Sequence, residues 1–172
     1  MLAIFAMAVF CVGFFYVREL TDVNSETKKA ENYTQAVLAG ALAIFEGDLS
    51  ENAMIADYWK PKGHTTKSLL GVLGLSFPCT YDDYMNRWAE KFVDPEDREL
   101  YLDRVNRNIL MNAYNNSESE IFFDYKAVTS DGREIFVRQS IFMAEDRRSG
   151  NVVAHANLRE ITEQKEKDIA FQ

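Results

Sequence analysis

Hydrophobic and polar residues alternate along three segments in the C-terminal half of the chain, residues 119–129, 133–144 and 151–161. A two-residue period of this kind predicts β-strands that bury one face. A tight turn at Ser130-Asp131-Gly132 and a second turn at residues 147–150 separate the segments, so they predict a three-stranded antiparallel meander. The residues predicted to share the buried face of the first two strands are Ile121, Phe123, Tyr125, Ala127, Ile135, Val137, Ile141 and Met143, with Phe136 and Phe142 on the opposite face.

Two more strands and a helical region are predicted upstream of the meander. Residues 41–49 and 53–59 read as a hairpin, and residues 68–73 as a short helix. Thr80 is a good N-cap for a helix over residues 81–92 that has Asp82 and Asp83 in its first turn. The segment Asp94-Pro95-Glu96-Asp97 predicts a further helix start, with helix continuing in two pieces to about residue 114. The pattern therefore predicts an α+β domain, residues 39–162, on a five-stranded antiparallel sheet with helices on one face.

The last predicted strand passes directly into a charged helical segment, residues 163–172. A strand that continues into an exit helix forms a mechanical connector. We expect this helix to link the domain to an output domain that follows in the same chain. Glu160, Ile161 and Thr162 are the residues that we predict transmit a signal across this junction.

Residues 1–17 are apolar without interruption. A helix of this length spans roughly 25 Å, slightly less than a hydrocarbon core of about 30 Å. Its apolar character goes all round the helix and no signal-peptide cleavage pattern is present, which predicts a transmembrane helix; a buried core helix is the alternative. Positive charges follow the run and none precede it, which places the rest of the chain in the cytoplasm.

A linker, residues 18–38, joins this apolar run to the domain. Its sparse apolar positions alternate at spacings of three and four, a weak heptad seam in which two sites are threonine. This spacing predicts a helix that carries movement from the membrane to the domain within a homodimer. A solvated tether is the alternative.

Composition narrows the class of protein. The 172 residues carry a formal net charge of −8, which argues against a nucleic-acid-binding surface. The two cysteines, Cys11 and Cys79, provide neither a disulfide framework nor a metal-binding spacing, as expected in a reducing compartment.

Four motifs in order resemble the PAS sensory domain, in the variant found in bacterial membrane sensor histidine kinases and diguanylate cyclases. Residues 43–49 are similar to its first strand, and residues 93–98 to its His-Pro-Glu-Asp-Arg helix start. Residues 130–138 are similar to its Asp-Gly-x-x-x-Trp-Val-Arg hairpin, and residues 159–165 to its closing Arg-Asp-Ile-Thr-Glu-x-Lys. The resemblance covers roughly residues 33–165. Asp94, Phe136 and Glu160 stand where the family prefers histidine, tryptophan and aspartate.

Catalytic chemistry is not indicated. The pairs Asp82-Asp83 and Glu96-Asp97 lie at predicted helix starts, where acids suit the helix dipole. The sequence has no glycine-rich phosphate loop, no cluster of metal ligands and no nucleophile elbow. We therefore predict no catalytic residue and no metal site, and no enzymatic activity in this part of the receptor.

The resemblance also bears on which cofactors the domain is expected to bind. Cys79, although placed beside a helix start where a thiol can be activated, lacks the Asn-Cys-Arg-Phe context of flavin-binding light sensors. Residues 80–114 contain no histidine of the kind that haem-binding PAS domains supply, and His64 lies in a loop. Haem and flavin are both disfavoured, and no cofactor is predicted.

A small-molecule ligand is the remaining candidate partner of the domain. Phe123, Tyr125 and Phe136 are candidates to line a small apolar pocket, although strand aromatics are more simply core. His155, on the last strand, is a candidate ligand contact, and a partly exposed strand residue is the favoured alternative.

What the resemblance implies is a cytoplasmic sensor or relay module in a receptor anchored in the bacterial inner membrane. A histidine kinase is the favoured expectation for its output domain, and a diguanylate cyclase is the second. A PAS module that binds no ligand and serves only in dimerisation or spacing is the rival hypothesis.

Overall fold

The computed structural model describes residues 41–59, 68–129 and 131–170, and the elements within them follow the order predicted from the sequence. The strands are β1 (Ala43–Asp48), β2 (Ala53–Trp59), β3 (Glu120–Val128), β4 (Glu134–Glu145) and β5 (Val152–Glu160). The helices are α1 (Leu70–Leu73), α2 (Tyr81–Phe92), α3 (Arg98–Arg104), α4 (Arg107–Asn115) and α5 (Thr162–Ala170).

The five strands form one antiparallel sheet in the order β2-β1-β5-β4-β3. The predicted hairpin and the predicted meander are therefore joined by pairing of the first strand with the last. This pairing extends to Leu42, whose backbone N–H donates to the carbonyl oxygen of Leu158 at 2.7 Å. The start of the domain and the end of β5 are thus adjacent.

The core lies between one face of the sheet and helices α1–α4. The alternation predicted for β3 and β4 is confirmed at each inward position except Ile121, which is only partly buried. The opposite face carries Phe122 and Phe142, which are 69% and 50% exposed. The predicted five-stranded antiparallel α+β architecture is confirmed for the described residues.

Side-chain hydrogen bonds explain the start of α2, the longest helix among the described residues, and the late start of α3. Thr80 accepts a hydrogen bond from the Asp83 N–H at 3.0 Å, and α2 has the predicted bounds. The helix predicted to start at Asp94-Pro95 begins instead at Arg98. The reason is that the Asp97 carboxylate accepts from the backbone N–H of Lys126 on β3, at 2.7 Å, and so ties this turn to the sheet.

A glycine on β1 allows the sheet and α2 to approach closely. Gly47 lies beside a register irregularity between β1 and β2, and a Cβ atom added to it would collide with the ring of Tyr81. The Tyr81 hydroxyl in turn donates to the Val105 carbonyl oxygen at 3.1 Å, so the ring is held in place. The absence of a side chain at Gly47 is therefore part of the packing of α2.

Three predictions concern residues outside the described part of the chain: the transmembrane helix at 1–17, the linker at 18–38 and the loop position of His64. Within the described ranges, no helix is long and apolar enough to cross a membrane.

Candidate functional site

The junction between β5 and α5 is tied to the neighbouring strand β4 by two hydrogen bonds. The N–H of Ile161 donates to the carbonyl oxygen of Phe136 at 2.8 Å. The N–H of Phe136 donates to the Thr162 hydroxyl oxygen at 3.0 Å. Both backbone groups of Phe136 are therefore hydrogen-bonded to the two residues at which the strand becomes a helix.

Glu160 lies in the same junction but makes a different kind of contact. Its backbone pairs with Val137 in the β4–β5 ladder, and its side chain is exposed. Of the three residues predicted to transmit a signal, Ile161 and Thr162 thus hold β4 directly, whereas Glu160 presents its charge to solvent.

A cluster of three charged residues secures the first turn of α5 against the outer face of the sheet. The Asp124 carboxylate on β3 accepts from the Arg138 guanidinium through Nε at 2.7 Å and Nη2 at 2.9 Å. It also lies 3.0 Å from the Lys165 Nζ of α5. These two cations hold the pKa of Asp124 below its ordinary value, with Arg138 making the larger contribution. Asp124 therefore remains ionised at neutral pH and joins β3, β4 and the exit helix.

The predicted ligand residues Phe123 and Tyr125 are buried on the core face of β3. Their rings lie 5.9 Å and 4.9 Å from the ring of Tyr101 on α3, in edge-on arrangements. They pack against a helix, which is the simpler of the two readings considered from the sequence.

The other two candidate ligand residues lie on the opposite side of the sheet from these rings. Phe136 is at the exit junction, and His155 is exposed on the outer face. His155 Nδ1 lies 3.3 Å from the Glu46 carboxylate on β1, and hydrogen bonding to His155 lowers the pKa of Glu46. The structure therefore does not bring the four candidates together in one site.

An apolar cavity of about 170 Å³ lies between the sheet and helices α1 and α2, at the end of the sheet that carries the exit junction. The sequence analysis did not identify it, because its lining comes from segments far apart in the chain. The lining residues are Leu42, Ala43, Trp59, Leu69, Val72, Trp88, Phe92, Ala127, Val128, Thr129, Ile135, Val137 and Leu158.

Buried polar residues near this cavity were also missed. Asp57 on β2 accepts from the Ser68 hydroxyl at 2.7 Å and the Leu69 N–H at 2.6 Å, which fixes the start of α1. Gln139 is fully buried on the core face of β4, where its Oε1 accepts from the Tyr125 hydroxyl at 3.4 Å. Its burial could have been predicted from its position between Val137 and Ile141, on the inward face of the β4 alternation.

The residues considered for chemical activity make structural contacts. Asp82 accepts from the Asn52 side-chain amide at 2.9 Å, which joins the start of α2 to the β1–β2 turn. Burial and the nearby Asp57 raise the pKa of the Cys79 thiol, which favours its protonated form. Among the described residues, no group of three His, Cys, Asp or Glu side chains is arranged to hold a metal ion.

Comparison with known proteins gives structural similarity only. No protein-family model matches the chain, and no curated protein matches it. It is similar to the N-terminal domain of a diguanylate cyclase with a PAS/PAC sensor from Marinobacter aquaeolei, with 19% identity, 72% of this chain and 97% of that chain covered, and a TM-score of 0.43. It is also similar to a sensory box histidine kinase/response regulator from Burkholderia thailandensis, with 15% identity, 80% and 91% coverage and a TM-score of 0.45.

A third similar structure is the PAS domain of Bordetella pertussis BvgS, with 15% identity, 84% and 94% coverage and a TM-score of 0.46. At these identities the likeness concerns the fold alone. The strand order and the strand-to-helix exit are observed directly in the structure of this chain and do not depend on these similarities. Two of these structures are described as a PAS domain or as a domain with a PAS/PAC sensor, the family that the sequence motifs of this chain resemble.

Proposed function

We propose that this chain is the cytoplasmic PAS sensor or relay module of a receptor anchored in the bacterial inner membrane through residues 1–17. It acts as a homodimer and has no catalytic activity of its own. It regulates an output domain that follows it in the same chain. A histidine kinase is the favoured output domain, and a diguanylate cyclase is the second choice.

The observation that carries this proposal is the bonding of the exit junction to β4. A helix that only followed the domain would need no side-chain bond to the sheet, yet Thr162 accepts from Phe136 and Lys165 pairs with Asp124. A displacement of β4 therefore changes the position of the first turn of α5. Ligand binding or movement of the membrane helix biases two arrangements of this junction, and α5 passes the bias to the output domain.

The test is substitution of Thr162 in the full-length receptor. Thr162→Val keeps the side-chain shape but leaves the partly buried Phe136 N–H without its acceptor, a cost of about 1–3 kcal/mol. We expect a change in the basal rate of output, measured as autophosphorylation or cyclic dinucleotide synthesis. Thr162→Ser keeps the hydroxyl and is the matched control, expected to behave as the wild type. Equal output from all three proteins, with the fold intact, would contradict the relay.

A ligand-free dimerisation module is the second candidate function. The exposed Phe122 and Phe142 on the outer face of the sheet favour it, because large apolar side chains that are exposed next to each other are suited to a contact with a second copy. Because both candidate functions include a homodimer, sedimentation of Phe122→Glu tests only whether this face forms the dimer contact. The response of the output distinguishes the two: an output that no ligand changes supports the structural module.

A further inference from the structure

One edge of the sheet carries backbone groups that have no partner among the described residues. β3 is the last strand in the sheet order and pairs on one side only, with β4. Its odd-numbered residues bond to β4, as the 2.7 Å hydrogen bond from the Met143 N–H to the Ser119 carbonyl oxygen shows. Because bonding alternates along an antiparallel strand, the N–H and C=O groups of the even-numbered residues point away from β4, to the edge of the sheet.

This edge is covered at one end and open at the other. At Lys126 the N–H donates to the Asp97 carboxylate at 2.7 Å, and the carbonyl oxygen accepts from the Asp94 N–H at 2.9 Å. The even-numbered residues of the preceding stretch, 120–124, make no such bond to any described residue, and Phe122 at its centre is 69% exposed. Native sheets usually protect an edge with a bulge, a lysine or a proline, and this stretch has none of them. Its backbone is therefore suited to pairing with another strand.

The open stretch is complementary to a second copy of itself in antiparallel orientation. A two-fold axis at Phe122 places the partner's Phe122 directly opposite, and cross-strand aromatic pairs of this kind stabilise a sheet. On the other face the same register places the partner's Phe123 beside Ile121, an inward residue that the protomer itself leaves only partly buried. Each face of the new strand pair thus gains an apolar contact.

The charges at the two ends of the stretch favour the same arrangement. The Glu120 side chain is exposed and forms no ion pair with any described residue. In this register the partner's Glu120 lies opposite Asp124, whose carboxylate holds both Arg138 and Lys165. One carboxylate with two cations leaves this cluster positive, so it attracts the partner's carboxylate. The two-fold axis repeats the contact at the other end, and the chain therefore supplies the matching charges itself.

We propose that two copies of this chain associate by antiparallel pairing of β3 with the partner's β3 through residues 120–124. This deepens the proposed function and rests on it, because it names a contact of the homodimer. It also connects dimerisation with the exit helix, since the partner's Glu120 lies beside Lys165 in the first turn of α5. Failure of this contact leaves the Thr162 test of the relay unaffected.

Cross-linking through introduced cysteines tests the register in the purified 172-residue chain. Phe122→Cys places two thiols at the two-fold axis, where hydrogen-bonded antiparallel residues have a Cα–Cα distance of about 5.5 Å. A bis-maleimide with an ethylene spacer should join them, and mass spectrometry of the digested product identifies the linked peptides. Phe142→Cys is the matched control, because Phe142 is 50% exposed on the same face but lies on β4. Strand spacing and rise separate the two copies of residue 142 by about 20 Å in the proposed dimer, too far for this reagent.

Hydrogen exchange of the wild-type chain tests the backbone pairing itself. The N–H groups of Phe122 and Asp124 face the open edge, so they should be protected in the dimer and lose this protection on dilution to the monomer. The N–H groups of Phe123 and Tyr125 bond to β4 and should be protected in both states. A contact through the outer face of the sheet leaves the edge amides unprotected.

A charge reversal tests the contact at the ends of the stretch. Glu120→Lys sets a cation against the positive cluster at both ends, and we expect it to raise the concentration for half-maximal protection of the edge amides about tenfold. Glu51→Lys, the same change at an exposed residue of the β1–β2 turn, is the control and should leave that concentration unchanged.

Cross-linking at residue 122 but not at residue 142, with protection of the edge amides in the dimer, supports the proposal. Cross-linking at residue 142 in place of residue 122 shows a face-to-face contact and refutes it. A chain that stays monomeric, or a dimer in which the edge amides exchange quickly, also refutes it. If Phe122→Cys does not fold, exchange of the wild-type chain alone decides. Equal effects of Glu120→Lys and Glu51→Lys overturn the charge match.

Discussion

Lys165→Met is expected to loosen the exit helix without altering the stability of the sheet. The Lys165 Nζ lies 3.0 Å from the Asp124 carboxylate, and the two side chains are 36% and 22% exposed. Partly exposed ion pairs are worth about 0.2–1 kcal/mol. Asp124 is also neutralised by Arg138, which reduces its attraction for a second cation. We therefore take about 0.7 kcal/mol for the Lys165 contact.

The corresponding measurement is hydrogen exchange of the α5 backbone amides at residues 166–168. A loss of about 0.7 kcal/mol multiplies the population of the open helix by roughly three, since 1.4 kcal/mol is tenfold. We expect these amides to exchange about three times faster in Lys165→Met, whereas the amides of β4 and β5 exchange at the wild-type rate because they open only with the whole domain.

The control is Lys167→Met, which removes an exposed lysine from the same helix. A double-mutant cycle with Asp124→Asn isolates the contact: Lys165→Met should have little further effect once Asp124 is neutral. Unchanged exchange at residues 166–168 would refute the reasoning. So would an equal acceleration in Lys167→Met, or an undiminished effect of Lys165→Met in the Asp124→Asn background.

Two further predictions concern stability. Gly47→Ala should lower the free energy of unfolding by about 1–3 kcal/mol, because its Cβ has no room beside the Tyr81 ring. Gly71→Ala, with open space around it in a helix, should be neutral or stabilising, and equal urea midpoints for the two variants would contradict the packing argument. Acid should remove the contribution of Asp124. Because its pKa is lowered in the folded state, its stabilising effect is complete above the ordinary carboxyl pKa of about 3.9 and is lost as the pH falls through the lowered value. The difference in urea midpoint between wild type and Asp124→Asn should therefore shrink from pH 6 to pH 3, and a constant difference would contradict it.

The strands and the main helix were predictable because their signals are local. Alternation defines β3 and β4, and a threonine cap followed by two acids defines the start of α2. Even the pairing of Asp124 with Arg138 follows from the turn at Asp131-Gly132, because counting outward from that turn sets the register of the hairpin. Register was thus available to sequence reasoning as soon as the turn was recognised.

Contacts that depend on tertiary packing were not predictable in the same way. The start of α3 was placed too early because Asp97, three residues after the predicted cap Asp94, binds the backbone of Lys126 on β3, a strand distant in the sequence. The aromatic residues Phe123 and Tyr125 carry the same local pattern whether they pack against a helix or line a cavity. The position of Tyr101 against the sheet decides between these outcomes. The hydrophobic periodicity of the sequence does not predict that position.

The alternation of β4 connects the apolar cavity with the exit helix. Because successive side chains of a strand point to opposite faces, Val137 contacts the cavity while Phe136 and Arg138 serve the junction on the other side. A ligand that displaces Val137 must also displace the peptide groups on either side of it. The group that precedes Val137 contains the Phe136 carbonyl oxygen, which accepts from the Ile161 N–H, so the shift reaches the start of α5 through a backbone hydrogen bond. Lys165→Met removes a contact of α5 on the outer face of the sheet, so it should speed exchange of the α5 amides without altering the packing of Val137 and Leu158 around the cavity.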